Sequence, residues 1–117
     1  MIDDNEDDII ILKKVLEKNG FEIITAANAV EAGVMLSSHM PSIILMDINM
    51  PGIDGLDAVS AIRRNPAAKD IPIIIVTGSE KPGDMNRALK LGASDFFLKP
   101  ADSHKLIKRI NEILAAN

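Results

Sequence analysis

Cysteine is absent from these 117 residues, and so are tryptophan and tyrosine. The first absence removes disulfides, thiolate metal sites and cysteine nucleophiles, and it suits a reducing cytoplasm. The second leaves three phenylalanines, too few to build a platform on which single-stranded bases stack. Basic charge is scarce as well: 13 Lys and Arg against 17 Asp and Glu give −4, not the cationic surplus that holds nucleic acid. No stretch approaches the roughly 18 apolar residues of a membrane span, and no basic-then-apolar leader opens the chain. His39 and His104 have no plausible metal partners and read as surface residues. What is present, 47% hydrophobic and 26% charged residues, is ordinary for one soluble domain with a single core, here residues 1–117.

The chain is organised around Asp47. Ser42-Ile43-Ile44-Leu45-Met46 is apolar and rich in β-branched side chains, so it reads as a strand buried on both faces. Such a strand has no use for a charge, yet Asp47 follows at once, and Met50-Pro51-Gly52-Ile53-Asp54-Gly55 then turns into a helix. A carboxylate at the carboxyl end of a buried parallel strand sits where open α/β sheets place their ligands.

From the start, five of the first eight residues are acidic, namely Asp3, Asp4, Glu6, Asp7 and Asp8. The last three suit the first turn of a helix, whose dipole favours negative charge; Asp3 and Asp4 lie ahead of the cap and gain little from it. That helix carries Ile9, Leu12, Val15, Leu16 and Asn19 on one side and stops at Gly20. Phe21–Thr25 reads as a strand, and Ala26–Met40 as a helix with Ala29, Ala32, Gly33 and Leu36 inward. After the Asp47 strand come a helix over Asp54–Asn65 (Leu56, Val59 and Ile62 inward), a loop over 65–70 and a strand over Ile71–Val76. Thr77-Gly78-Ser79 closes that strand. Lys81-Pro82 opens a helix carrying Met85, Ala88, Leu89 and Leu91, stopped by Gly92. Ser94–Leu98 is the last strand, followed by Lys99-Pro100. The final helix starts near Asp102, with Leu106, Ile110, Ile113 and Leu114 inward and Lys105, Lys108 and Arg109 outward.

Strand and helix alternate throughout, which argues a five-stranded parallel sheet with helices on both faces. Its strands then end in Asp3-Asp4, Asp47, Thr77 and Lys99, and all these ends share one edge. Carboxylates gathered there raise one another's pKa unless cations offset them. Lys99 offers one positive charge and a hard divalent ion offers two; Mg²⁺ suits one or two carboxylates, a carbonyl and several waters. A carboxylate kept ionised beside such cations can attack phosphorus and form an aspartyl phosphate.

The set Asp3-Asp4, Asp47, Thr77 and Lys99-Pro100 resembles the receiver domain of two-component response regulators. The flanks Asp47-Ile48-Asn49-Met50-Pro51-Gly52-Ile53-Asp54-Gly55 and Gly92-Ala93-Ser94-Asp95-Phe96-Phe97-Leu98-Lys99-Pro100 resemble it too, and the likeness covers nearly the whole chain. It implies a flavodoxin-like, doubly wound fold with strand order 2-1-3-4-5 and five helices. It implies Asp47 as phosphoacceptor, with Mg²⁺ held by Asp3, Asp4, Asp47 and the Asn49 backbone carbonyl. Lys99 would pair with Asp47 and then with the phosphoryl group, Lys99-Pro100 would be cis, and Thr77 and Phe96 would form the switch. Asn49 and Ser79 would border the site and tune access to it. The implied role is a cytoplasmic signalling domain rather than a turnover enzyme. The implied donor is a sensor histidine kinase or a histidine phosphotransfer protein. A downstream protein would be read by the face of the fourth helix, fifth strand and last helix, where Asn86, Lys90, Lys105, Lys108 and Arg109 are candidate contacts. Neither direct nucleic-acid binding nor membrane association is implied.

One departure stands out. Only Met1 and Ile2 precede the acidic pair, whereas the family has a full central strand there, so the first strand reads as truncated. An upstream start, or an element supplied by dimerisation or domain swapping, would fill the slot. Two rival readings differ in their residues. An aspartate phosphohydrolase would need a second acid two positions after its nucleophile, where Asn49 stands. A non-phosphorylated binding module of the same fold tends to lose the acidic pair, threonine or lysine, all retained here.

Overall fold

The computed structural model describes residues 1–3, 5–26, 28–48, 55–78 and 83–116, with Ala29 and Val30 described by backbone alone. Three strands, β1 (Ile44–Met46), β2 (Ile73–Thr77) and β3 (Asp95–Leu98), form a parallel sheet in the order β1-β2-β3. Ile44 lies opposite Ile73, and Ile74 opposite Asp95. Five helices surround it: α1 (Glu6–Lys18), α2 (Ala29–Ser38), α3 (Gly55–Arg64), α4 (Asp84–Leu91) and α5 (Ser103–Ala116).

β1 and β2 are buried at every position, as a parallel strand covered on both faces must be. Alternate residues therefore feed two cores. Ile44, Met46, Ile73 and Ile75 point one way, onto Ala32 of α2, Leu56, Val59 and Ile62 of α3, and Ala88 of α4. Leu45, Ile74 and Val76 point the other way, onto Leu12 and Leu16 of α1 and Leu106, Ile110 and Ile113 of α5. This is the doubly wound arrangement expected.

Helix boundaries follow local chemistry. Asn5 and Asn28 cap α1 and α2 by accepting the N–H of Asp8 and Glu31. Gly92 ends α4 in the left-handed region, at φ +116°, where a side chain would be strained. Arg63 ties α3 to that turn: its guanidinium donates to the carbonyls of Gly92, Lys69 and Ile71 at 2.8–3.1 Å.

The two amino-terminal strands depart from expectation. Phe21–Thr25 forms no strand; Ile2 makes single parallel bridges to Ala26 on one side and Met46 on the other. Only one residue ahead of Asp3 is in register with both neighbours, too few to extend either ladder. The bonds are nevertheless regular: Ile2 donates to Leu45 at 2.7 Å, Asp47 donates to Ile2 at 2.9 Å, and Asp3 donates to Ala26 at 3.0 Å. Below this point a cleft of about 460 Å³ opens among Met1, Ile24, Ala32, Leu36 and Ile43.

In α4, Met85, Leu89 and Leu91 are exposed, and the buried residues are Asp84 and Ala88. In α2, Gly33 faces solvent while Ala32 is buried and Leu36 is half-buried. α3, of the same length as α2, instead buries Gly55, Leu56, Ala58, Val59 and Ile62, so helix length does not set the width of the buried face. The expected helix start at Lys81-Pro82 lies outside the described residues.

Candidate functional site

Each polar residue of the site stands where an apolar segment runs out at one edge of the sheet, fully buried in β1 and β2 and only partly so in β3. Asp47 follows β1, Thr77 closes β2, Lys99 follows β3, and Asp3 follows the bridging residue Ile2. Parallel strands bring these ends together although up to 96 positions separate them. The backbone fixes the spacing, with Lys99 N–H donating to the Thr77 carbonyl at 2.8 Å. The Lys99-Pro100 peptide is cis, as expected.

Asp47 is 6% exposed, and both of its carboxylate oxygens are engaged. The Thr77 hydroxyl donates to Oδ1 at 2.6 Å and the Lys99 ammonium donates to Oδ2 at 2.8 Å. Lys99 also donates to Asp3 Oδ2 at 2.7 Å and to Asp8 Oδ2 at 2.6 Å. The other oxygen of Asp3 accepts the Asn5 N–H at 3.0 Å. One ammonium with three donors thus meets three carboxylates.

The electrostatics follow from that count. Burial alone would lower the Lys99 ammonium, but its bonds to Asp3, Asp47 and Asp8 and the Asp47 charge hold it well above its usual range. Burial raises Asp3 above the ordinary carboxylate range, and its bonds to Lys99 and the Asn5 N–H recover only part of that shift. The described carboxylates outnumber the cations, so the edge remains electronegative.

Fixed oxygen donors in cationic deficit suit a hard divalent ion, which needs few protein ligands and keeps several waters. Asp3 and Asp47 fit that requirement by donor type. Among the described residues no group of three or more His, Cys, Asp or Glu side chains is arranged around a metal position. Asp4 and Asn49, the other expected ligands, lie outside the described residues, as does Ser79.

Of the remaining expected residues, Phe96 is half-buried and packs on the core containing Ile2, Met46 and Ile75. Asn86, Lys90, Lys105 and Lys108 are exposed, as are His39 and His104. Arg109 departs from the expected outward pose: it is half-buried, bonded to Asp95 at 2.7 Å and 3.8 Å from Glu112. A guanidinium beside two carboxylates is a brace between β3 and α5 before it is a contact for a partner.

Sequence reasoning missed Asp8. Its place in the first turn of α1 explains it as a dipole partner, and nothing local shows that Lys99 lies above that turn. A signal was available: Asp8 stands in the first turn of α1, the helix that leaves the very edge where Asp3 and Asp47 gather.

Comparison with known proteins identifies the family and the fold. Residues 1–111 match the family described as the response regulator receiver domain. Protein PilH of Pseudomonas aeruginosa is 33% identical over 115 residues, covering 98% of this chain and 95% of PilH. Response regulator PleD of Caulobacter vibrioides is 33% identical over 113 residues, but the chain spans only 25% of PleD. Among solved structures, the signal receiver domain of a signal transduction histidine kinase from Syntrophus aciditrophicus superposes with a TM-score of 0.90. It is 30% identical, with 98% of this chain and 87% of that one covered.

Proposed function

The chain belongs to the response regulator receiver family, and we propose that it is a phosphoacceptor switch, with residues 1–117 as one receiver domain and Asp47 as the acceptor. The observation that carries this reading is the pair of donors on Asp47, with Thr77 on one oxygen and Lys99 on the other. They hold the carboxylate in a fixed pose with Lys99 balancing its charge. The buried surroundings make each of those interactions stronger than it would be in water.

In the transfer, an Asp47 oxygen gives an electron pair to phosphorus and a new P–O bond forms. The donor's P–N bond, if it is a phosphohistidine, or P–O bond, if it is an acyl phosphate, breaks with its electron pair. That pair stays on the donor, which takes up a proton from solvent as needed. Lys99 then turns the N–H that served Asp47 Oδ2 toward a phosphoryl oxygen, and the Thr77 hydroxyl does the same from Oδ1. A bound Mg²⁺ would neutralise charge on the phosphoryl oxygens, and Asp3, Asp4, Asp47 and the Asn49 carbonyl would hold it.

The switch is a shift of population. A phosphoryl group that bonds Thr77 in one arrangement of the segment after β2 favours that arrangement by its differential contacts. Phe96, which lies opposite Ile75 across the ladder, would repack as Thr77 moves. The face of α4, β3 and α5 would then change its fit to a downstream protein, with Asn86, Lys90, Lys105 and Lys108 as contacts. The donor is a sensor histidine kinase or a histidine phosphotransfer protein in the cytoplasm. The full sheet order is 2-1-3-4-5, with the stretches around Ile24 and Ile2 as its first two members; the bridges of Ile2 to Ala26 and Met46 support this order.

The test is intact-mass spectrometry after incubation with acetyl phosphate, with Mg²⁺ and with chelator, on wild type and Asp47→Ala. One added phosphoryl group in wild type with Mg²⁺, and none in the variant, is the expected result. No gain in folded wild type would sink the reading and leave a binding module of the same fold.

A further inference from the structure

Asp8 is the residue at this edge that has no part in the proposed transfer. It is carried by the first turn of α1, its side chain is about one-third exposed, and it makes the shortest of the three bonds to Lys99, at 2.6 Å. A helix dipole would be satisfied by a carboxylate anywhere in that turn, and Glu6 and Asp7 already stand there, both exposed. Asp8 alone of the three closes on the ammonium.

Two consequences follow from counting donors and charges. An ammonium has three N–H groups, and Lys99 has given all three to Asp3, Asp8 and Asp47. A phosphoryl group arriving on Asp47 brings further anionic oxygens that compete for the same three donors. Asp8 also adds a full negative charge to an edge that must accept both a divalent cation and a dianionic group, and it acts on the two in opposite senses.

We propose that Asp8 is a positioning residue that works through Lys99. It holds the ammonium toward α1 and shares its charge, strengthening the hold of the site on Mg²⁺ and weakening its hold on the phosphoryl group. The proposal rests on the phosphoacceptor reading of Asp47 and adds to it a tuning residue supplied by α1.

The experiment compares wild type, Asp8→Asn and Asp8→Glu. The isosteric amide keeps a polar side chain at the helix start, and Asp8→Glu restores the charge. Mg²⁺ alone is titrated into each protein while the amide signals of Asp3 and Asp47 are followed by NMR, which also reports whether the variant is folded. Acetyl phosphate is then titrated at saturating Mg²⁺, and the phosphorylated fraction is read by intact mass.

Asp8→Asn is expected to bind Mg²⁺ about three- to tenfold more weakly, the effect of one unit charge removed from a partly solvated site. The same variant should reach half-phosphorylation at a several-fold lower acetyl phosphate concentration, and Asp8→Glu should return both quantities toward wild type. A mere cap would move stability and leave both titrations alone. Unchanged Mg²⁺ affinity and unchanged phosphodonor requirement in folded Asp8→Asn would overturn the proposal, as would movement of both in the same direction. If wild type itself takes no phosphoryl group, the acceptor reading fails, and the assignment of Asp8 as tuner of phosphoryl transfer falls with it. The Mg²⁺ arm then shows separately whether Asp8 shares the charge of the site.

Discussion

Two ammonium groups lie against this sheet, and their surroundings have opposite effects on them. Lys99 at the carboxyl edge meets three carboxylates within 2.8 Å and is held well above its ordinary range. The terminal amine of Met1, toward the other edge, donates to the Ile24 carbonyl at 2.7 Å, and burial lowers it from 8.0 to about 6. Burial disfavours a charged ammonium, and at Lys99 the bonded carboxylates reverse the sign. The packing differs in the same way. At the carboxyl edge the backbone closes so tightly that Gly55 has no room for a Cβ, whereas the other edge holds a cleft of about 460 Å³. One end of the sheet is crowded with partners and the other is short of them.

The largest effect expected from this contrast comes from removing the cation at the crowded end. Lys99→Met keeps an unbranched chain of similar length but leaves Asp3, Asp8 and Asp47 facing one another. Urea unfolding at pH 7 should show a loss of about 3 kcal/mol, the order seen when one member of a buried charged set is deleted. Added Mg²⁺ should recover part of that loss, and recover more than it adds to wild type. Unchanged stability would mean that the three carboxylates do not depend on the ammonium.

Next in size is a single carbon at the same end. A Cβ on Gly55 would lie 2.2 Å from Ile48 Cα and 2.9 Å from the Asp47 carbonyl oxygen. These are backbone atoms, so the segment carrying Asp47 must move. Gly55→Ala should cost about 2 kcal/mol in unfolding free energy and slow phosphoryl uptake by acetyl phosphate. A variant as stable and as quickly phosphorylated as wild type would show that the approach of α3 to β1 is less rigid than this geometry requires.

Most of the crowded end was legible in the sequence. Asp47, Thr77 and Lys99 each follow a run of apolar residues, and a polar residue that ends such a run is visible without coordinates. The inward faces of α3 and α5 followed the helical period, and Leu56, Val59, Ile62, Leu106, Ile110 and Ile113 are all buried. The sparse end was harder to read. Phe21–Thr25 has the composition of a strand, but a strand needs partners in register, and on that side Ile2 makes one bridge, to Ala26. Met85 and Leu89 of α4 are apolar at helical spacing yet exposed, because spacing shows which residues share a face and not what covers it. Asp8 and Arg63 were missed for a further reason. Their partners, Lys99 and the Gly92 carbonyl, are 91 and 29 positions away and belong to other elements.

The two ammonium groups also separate by pH. The Met1 amine has its folded value depressed, so its contribution is present above 8.0 and lost as pH falls through about 6. Lys99 has its folded value raised, so its contribution is complete below 10.5 and is lost only as pH rises through the higher folded value. Between pH 6 and 8 the Lys99 share is therefore flat and the Met1 share climbs. Stability should rise across that window by an amount on the order of 2 kcal/mol. Chemical acetylation of the terminal amine removes the titrating group and should flatten the rise. A slope that survives acetylation would assign it to another group.

The smallest effect tests the sparse end directly. Ala32 of α2 is buried and lines the cleft, where Met35, Leu36, Ile24 and Ile43 are other walls. Ala32→Leu adds three carbons there with almost no change in helix propensity. In a close-packed core that addition strains its neighbours and destabilises; in a cleft it removes apolar surface from water and stabilises, by about 1 kcal/mol. The sign of the change thus decides the matter, and chemical denaturation of the two proteins measures it. A gain here set against a loss in Gly55→Ala would establish that one sheet carries an overfilled edge and an underfilled one. A loss of 1 kcal/mol or more in Ala32→Leu would mean that the cleft closes on the α2 side in solution. The contrast between the two ends would then rest on their charges alone.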